Sequence, residues 1–202
     1  VSASLGTSSA SRPLKVVGRG VEREVLKVGK GVVSDKHTSD FWVFEGVDGR
    51  DYAVTGTWGA DGTSFFWDVT DPANIKKIDS VKVDARTVND VKVSQDGRIS
   101  VIGREGASDR KNGIIILDVS NPYDVKILSE YTKNLTGGVH NVFIDNNHVY
   151  ALSGSQRYFV INIEDPKNPV EVGMFEVGKE GQSIHDVWIC LLYTSDAADD
   201  SL

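Results

Sequence analysis

The chain has 202 residues, 40% of them hydrophobic, with 29 acidic against 22 basic side chains and a formal net charge of −7. That is enough apolar material for a globular core, and no stretch approaches the roughly 20 consecutive apolar residues of a membrane-spanning helix. The acidic balance, without a Lys/Arg cluster, argues against general binding to a phosphate backbone.

Residues 1–30 form a leading segment, read as partly disordered or as a single leading strand. Its Ser-rich start, Val1–Ser11, suits the scar of a removed targeting segment, a linker or the start of a fragment. A repeat then begins. Ser39-Asp40-Phe41-Trp42-Val43, Asn89-Asp90-Val91-Lys92-Val93, His140-Asn141-Val142-Phe143-Ile144 and His185-Asp186-Val187-Trp188-Ile189 share one pattern. Each has a polar residue, then Asp or Asn, then strand formers. A second motif closes each unit: Asp68-Val69-Thr70-Asp71-Pro72, Asp118-Val119-Ser120-Asn121-Pro122 and Asn162-Ile163-Glu164-Asp165-Pro166. The two motifs keep one order along the chain, which marks a repeat architecture.

Each unit divides into four short strands. In the second they are predicted at Asp90–Ser94, Arg98–Gly103, Ile114–Val119 and Val125–Tyr131. Gln95-Asp96-Gly97 is a hairpin signal, because Asp-Gly tolerates the positive φ of tight turns. Gly46-Val47-Asp48-Gly49 and Asp145-Asn146-Asn147 hold the same place in the neighbouring units. Pro in the closing motif cannot donate to a ladder, so that motif belongs between the third and fourth strands. Asp79–Val91 has a weak helical pattern, but its β-branched residues and its place in the repeat favour strand, loop, strand.

Four antiparallel strands repeated at about 45 residues make the blade of a β-propeller. The expected fold is all-β: a β-propeller fragment with four-stranded antiparallel blades and an incomplete ring. The blades are placed at 31–86, 87–137 and 138–182, with the first strand of a fourth at 183–189. A β-sandwich has a similar number of strands but does not demand the repeated motifs.

The C-terminal segment 190–202 breaks the repeat. Cys190 to Asp200 resembles the translation of a transposon-derived sequencing adapter, so 190–202 is read as a non-native tail on a truncated frame; the alternative is a natural acidic tail. Cys190, the only cysteine, then carries no catalytic or metal hypothesis.

Gly113-Ile114-Ile115-Ile116-Leu117-Asp118-Val119-Ser120-Asn121-Pro122, Tyr158 to Pro166, Pro169-Val170-Glu171-Val172-Gly173 and the His-Asp-Val or His-Asn-Val openings together resemble the LVIVD-repeat β-propellers. The first unit departs from that pattern with Phe65-Phe66-Trp67 in its aliphatic strand. The resemblance implies a bacterial or archaeal, often secreted or cell-surface protein, and an incomplete ring whose exposed blade faces favour aggregation. About activity it implies little.

The innermost strand of each blade lines a propeller's central channel. His37, Asp40, Asn89, Asp90, His140, Asn141, His185 and Asp186 precede or open those strands, so they are the candidate ligand-binding rim. Three His and several carboxylates are a donor set for a divalent metal or a small polar ligand. The plainer reading is structural: Asp and Asn bonding the turn backbone, and His beside Asp as a satisfied polar pair.

Trp42, Trp58, Phe65, Phe66 and Trp67 are read as filling between blades, with stacking on a sugar or partner as the alternative. Arg104 to Gly113 is expected to be a solvated charged loop or a partner-binding one, and His148 a surface residue. Asn134-Leu135-Thr136 matches the glycosylation acceptor pattern. No catalytic residue and no cofactor is expected, a divalent metal apart. The expected function is a non-enzymatic module binding a protein or small polar ligand outside the cytoplasm. The alternative is an enzyme or metal-binding protein at the channel mouth.

Overall fold

The structure, a computed structural model, describes residues 26–33, 35–178 and 182–189, and the backbone alone of 2–5 and 8–11. The proposed adapter tail lies outside the described residues. So does most of the leading segment. Its described backbone forms β1 (Ser2–Leu5) and β2 (Ser8–Ser11), an antiparallel hairpin of its own.

Three four-stranded antiparallel sheets follow, each built from consecutive strands. The first is β3 (His37–Glu45), β4 (Asp51–Trp58), β5 (Thr63–Asp68) and β6 (Lys76–Lys82). The second is β7 (Thr87–Val93), β8 (Ile99–Glu105), β9 (Gly113–Asp118) and β10 (Lys126–Tyr131). The third is β11 (Val139–Asp145), β12 (His148–Ser153), β13 (Arg157–Asn162) and β14 (Val170–Glu176). No helix occurs among the described residues. The chain is all-β, an arc of β-propeller blades.

The turn chemistry explains the repeat. Between β11 and β12, Asp145 pairs with His148, and the two turn residues Asn146 and Asn147 have φ of 43° and 58°. Two positive φ values are what a two-residue hairpin matching the strand twist requires. In the Pro motif the first Asp or Asn accepts from the amide two residues on: Thr70 at 3.1 Å, Ser120 at 2.9 Å and Glu164 at 2.9 Å. The second acidic or amide residue does the same for Ala73, Tyr123 and Lys167. Its carbonyl then accepts from the amide three residues on, Asn74, Asp124 or Asn168, at 2.9–3.0 Å. Two side-chain turns and one backbone turn around a Pro are thus made three times, so the motif fixes the connection from third to fourth strand.

The core lies between the blades. Strand β9 is buried on both faces. Ile115 and Leu117 join Tyr52, Val54 and Phe66 of the first blade, while Ile114 and Ile116 join Val149, Phe159 and Ile161 of the third. Side chains alternate along a strand, so one all-aliphatic strand serves two interfaces. Burying each such side chain stabilises by about 1.5–3 kcal/mol.

Two expectations need correction. Arg104 is not in a solvated loop. It is the penultimate residue of β8, with its side chain buried and donating to Asn112 O and to Glu130, because the strand runs two residues further than its pattern suggested. The aromatic group is also divided. Phe65, Phe66 and Trp67 are buried, but Trp58 is 54% exposed at the end of β4, and Trp42 is only partly buried.

Candidate functional site

The first strands of successive blades lie side by side, and the opening motifs of the three blades each carry a bulge. Register shifts occur between Thr38 and Phe41, between Val88 and Val91, and between Val139 and Asn141. A bulge turns a side chain that would otherwise follow the sheet alternation. Here it turns the Asp or Asn toward the following unit. Asp40 Oδ2 accepts from Val91 N–H at 3.4 Å, Asp90 Oδ2 from Val142 N–H at 2.7 Å, and Asn141 Oδ1 from Val187 N–H at 3.2 Å. Asp90 and Asp186 also accept from the amide that follows each, at 2.9 and 2.7 Å, so the expected local bonding occurs beside a bracing of the next unit's inner strand.

The polar residue before each Asp or Asn forms a second row. Ser39 Oγ donates to Val88 O at 2.5 Å, and Asn89 Nδ2 donates to His140 O at 2.8 Å. Asn89 Nδ2 also lies 2.6 Å from His140 Nδ1, and Glu105 Oε1 lies 3.1 Å from that nitrogen. The His140 and His185 rings meet edge to face at 4.7 Å, with their Nε2 atoms 3.2 Å apart. Neither forms the expected His–Asp pair.

The residue two places after each Asp or Asn forms the third row: Trp42, Lys92, Phe143 and Trp188. Trp188 packs on Phe143 at 4.9 Å and on Trp42 at 6.3 Å. Lys92 was missed by sequence reasoning. Its ammonium bonds Asp40 at 3.0 Å, bonds Asp90, and sits 5.0 Å from the centre of the Trp42 ring. The available signal was a lone cation at a place where the other units have aromatics.

Burial raises the Asp90 carboxyl most, and its hydrogen bond with Asp40 adds to this. Lys92 and Val142 N–H pull the other way, and the balance is a pKa pushed up to about 7. Burial also opposes ionisation of Asp40, but bonds from Asp90 and Lys92 and the Lys92 charge outweigh it, so Asp40 sits below the usual carboxylate range. The pair thus divides into one carboxyl that keeps its proton toward neutrality and one that gives it up early.

Seven of the eight expected rim residues line one cleft of about 320 Å3: Asp40, Asn89, Asp90, His140, Asn141, His185 and Asp186. Ser39, Phe41, Trp42, Lys92, Val187 and Trp188 complete it. His37 does not reach it. It starts β3 opposite Trp58, with the two rings 6.5 Å apart, because it lies ahead of the bulge that redirects the residues after it. Among the described residues, no group of three or more His, Cys, Asp or Glu is placed to share one metal ion.

The cleft gathers four units' opening motifs on the inner strands of an all-β, propeller-type arc. No protein-family model matches the chain, and no curated protein matches it. Among solved structures, it is similar to a hypothetical selenium-binding protein from Sulfolobus tokodaii, with 16% identity and a TM-score of 0.56. The match covers 70% of this chain and 39% of that one, so the chain spans well under half the length of this neighbour. At that identity the likeness establishes the fold.

Proposed function

We propose that the chain belongs to a non-enzymatic β-propeller module of the LVIVD-repeat kind. It is read as part of a larger bacterial, secreted or cell-surface protein, and it binds a small polar ligand at the rim cleft. One observation carries this reading: seven polar residues, spread from Asp40 to Asp186, meet in one cleft that Trp42 and Trp188 also line. Amide, carboxylate and imidazole groups beside Trp side chains suit a ligand with several hydroxyl or amino groups.

Asp90 has a proton affinity suited to acid–base chemistry, yet its oxygens are committed to Val91 N–H, Val142 N–H and Lys92. That assigns Asp90 to bracing the inner strands and argues against a catalytic role, because a general base needs a free oxygen toward its substrate. The test is a thermal-shift screen of sugars, polyols and amino acids against the chain. A hit should raise the melting temperature of the wild type and lose that effect in Asp186→Ala and Trp188→Ala. No hit, or hits indifferent to both substitutions, would remove the cleft reading.

A further inference from the structure

The two facing imidazoles come from different units, yet their Nε2 atoms stand 3.2 Å apart in the cleft lining. Two nitrogens on one tetrahedral ion, with bonds of about 2.0–2.1 Å, stand roughly 3.3–3.4 Å apart. The observed spacing is close to that bite. His140 is half-exposed and His185 exposed, so both are accessible from solvent. The segment carrying His185 is held by Ile184 N–H on Ser155 O at 2.7 Å and by Val187 N–H on Asn141.

Surroundings of His140 Nδ1 bear on the same point. Asn89 Nδ2 donates to this atom when it is unprotonated, and Glu105 Oε1 accepts from it when it is protonated. A cation at Nε2 requires the proton on Nδ1, where Glu105 accepts it once the Asn89 amide donor, 2.6 Å away, turns aside. Metal-binding imidazoles are commonly oriented by a carboxylate in this way.

We propose that His140 and His185 bind one divalent ion of the zinc or copper class through their Nε2 atoms. Glu105 is the positioning residue for His140. Two protein ligands leave coordination positions open toward the cleft, where a ligand's oxygen or nitrogen would attach. The proposal rests on reading the cleft as a ligand site and names what holds the ligand there.

Calorimetric titration of metal-stripped protein with ZnCl2 and with CuCl2 tests it. One ion per chain is expected. His140→Ala and His185→Ala should each weaken binding at least tenfold, and Glu105→Gln severalfold. His37→Ala and His148→Ala should leave it unchanged, and His140→Gln serves as a second variant if His140→Ala fails to fold. No saturable binding, or affinity unaltered in folded His140 and His185 variants, overturns the proposal. Polar-ligand binding that persists in EDTA without metal uptake also overturns it while sparing the cleft reading. Metal uptake without any polar ligand supports it and sinks that reading instead.

Discussion

Lys92 is the residue on which the inner strands depend most directly. It joins two carboxylates from neighbouring blades under a Trp ring, and its side chain is almost fully buried. Removing one partner of a buried ionic cluster leaves uncompensated charge, which typically costs about 3–5 kcal/mol. Lys92→Met should therefore lower stability by about 3 kcal/mol in urea denaturation. Asp90 gives a pH signature. Its folded pKa, about 7, lies above the ordinary 3.8, so between these values the folded chain holds a proton that the unfolded chain has released. Its contribution is then fully present below about pH 4 and is lost as pH rises toward 7. Stability of the wild type relative to Asp90→Asn should fall across that window, as equilibrium unfolding at several pH values would show. The candidate residues were legible in the sequence through their register, since seven of eight meet in space. His37 and Lys92 were not, because a bulge and a cross-blade ion cluster act on direction and pairing rather than on motif.

At the scale of the element, sequence periodicity served strands well and joints poorly. The second unit's strands were expected at Asp90–Ser94, Arg98–Gly103, Ile114–Val119 and Val125–Tyr131, and they form at Thr87–Val93, Ile99–Glu105, Gly113–Asp118 and Lys126–Tyr131. The early start of β7 comes from the bulge, which breaks the alternation that would have revealed Thr87 and Val88. Tight approaches between blades left no trace in the pattern. A Cβ at Gly56 would lie 2.3 Å from Val88 O, and one at Gly103 would lie 2.7 Å from Val139 O. In both cases a second strand meets the next blade's inner strand through a bare backbone. Gly56→Ala and Gly103→Ala should each cost about 1–3 kcal/mol by overcrowding, read as a drop in thermal midpoint. The closing motif should be more forgiving. Asp118→Ala removes one hydrogen bond to Ser120 N–H and should cost about 1 kcal/mol.

For the molecule as a whole, stability resides between blades. The two large apolar clusters share β9 but use opposite faces of it. Repeat proteins behave roughly as chains of nearest-neighbour interfaces. Ile161→Ala, on the third blade, should cost about 2–5 kcal/mol locally. Its amide exchange should accelerate through β11 to β13 and much less in β4 and β5. Uniform acceleration would instead mean that the arc unfolds as one unit. Propeller class was the most legible property, because it follows from a repeat count and turn chemistry. The cleft as a whole was the least, since no single motif encodes a site built from four distant segments.

The carboxylate handed from Asp40 to the second blade, and from Asp90 to the third, gives the joint a direction. Each described blade offers an acceptor forward, and the second and third receive one on a backbone amide, so neighbouring blades do not meet as mirror partners. A connector of this sort is indifferent to how many copies follow one another. Blades could be duplicated, deleted or exchanged between arcs without inventing a new contact, provided each keeps its Asp or Asn and the bulge beside it. For protein engineering, the bulged Asp or Asn is then the part to transplant, and the outer strands are the part free to vary.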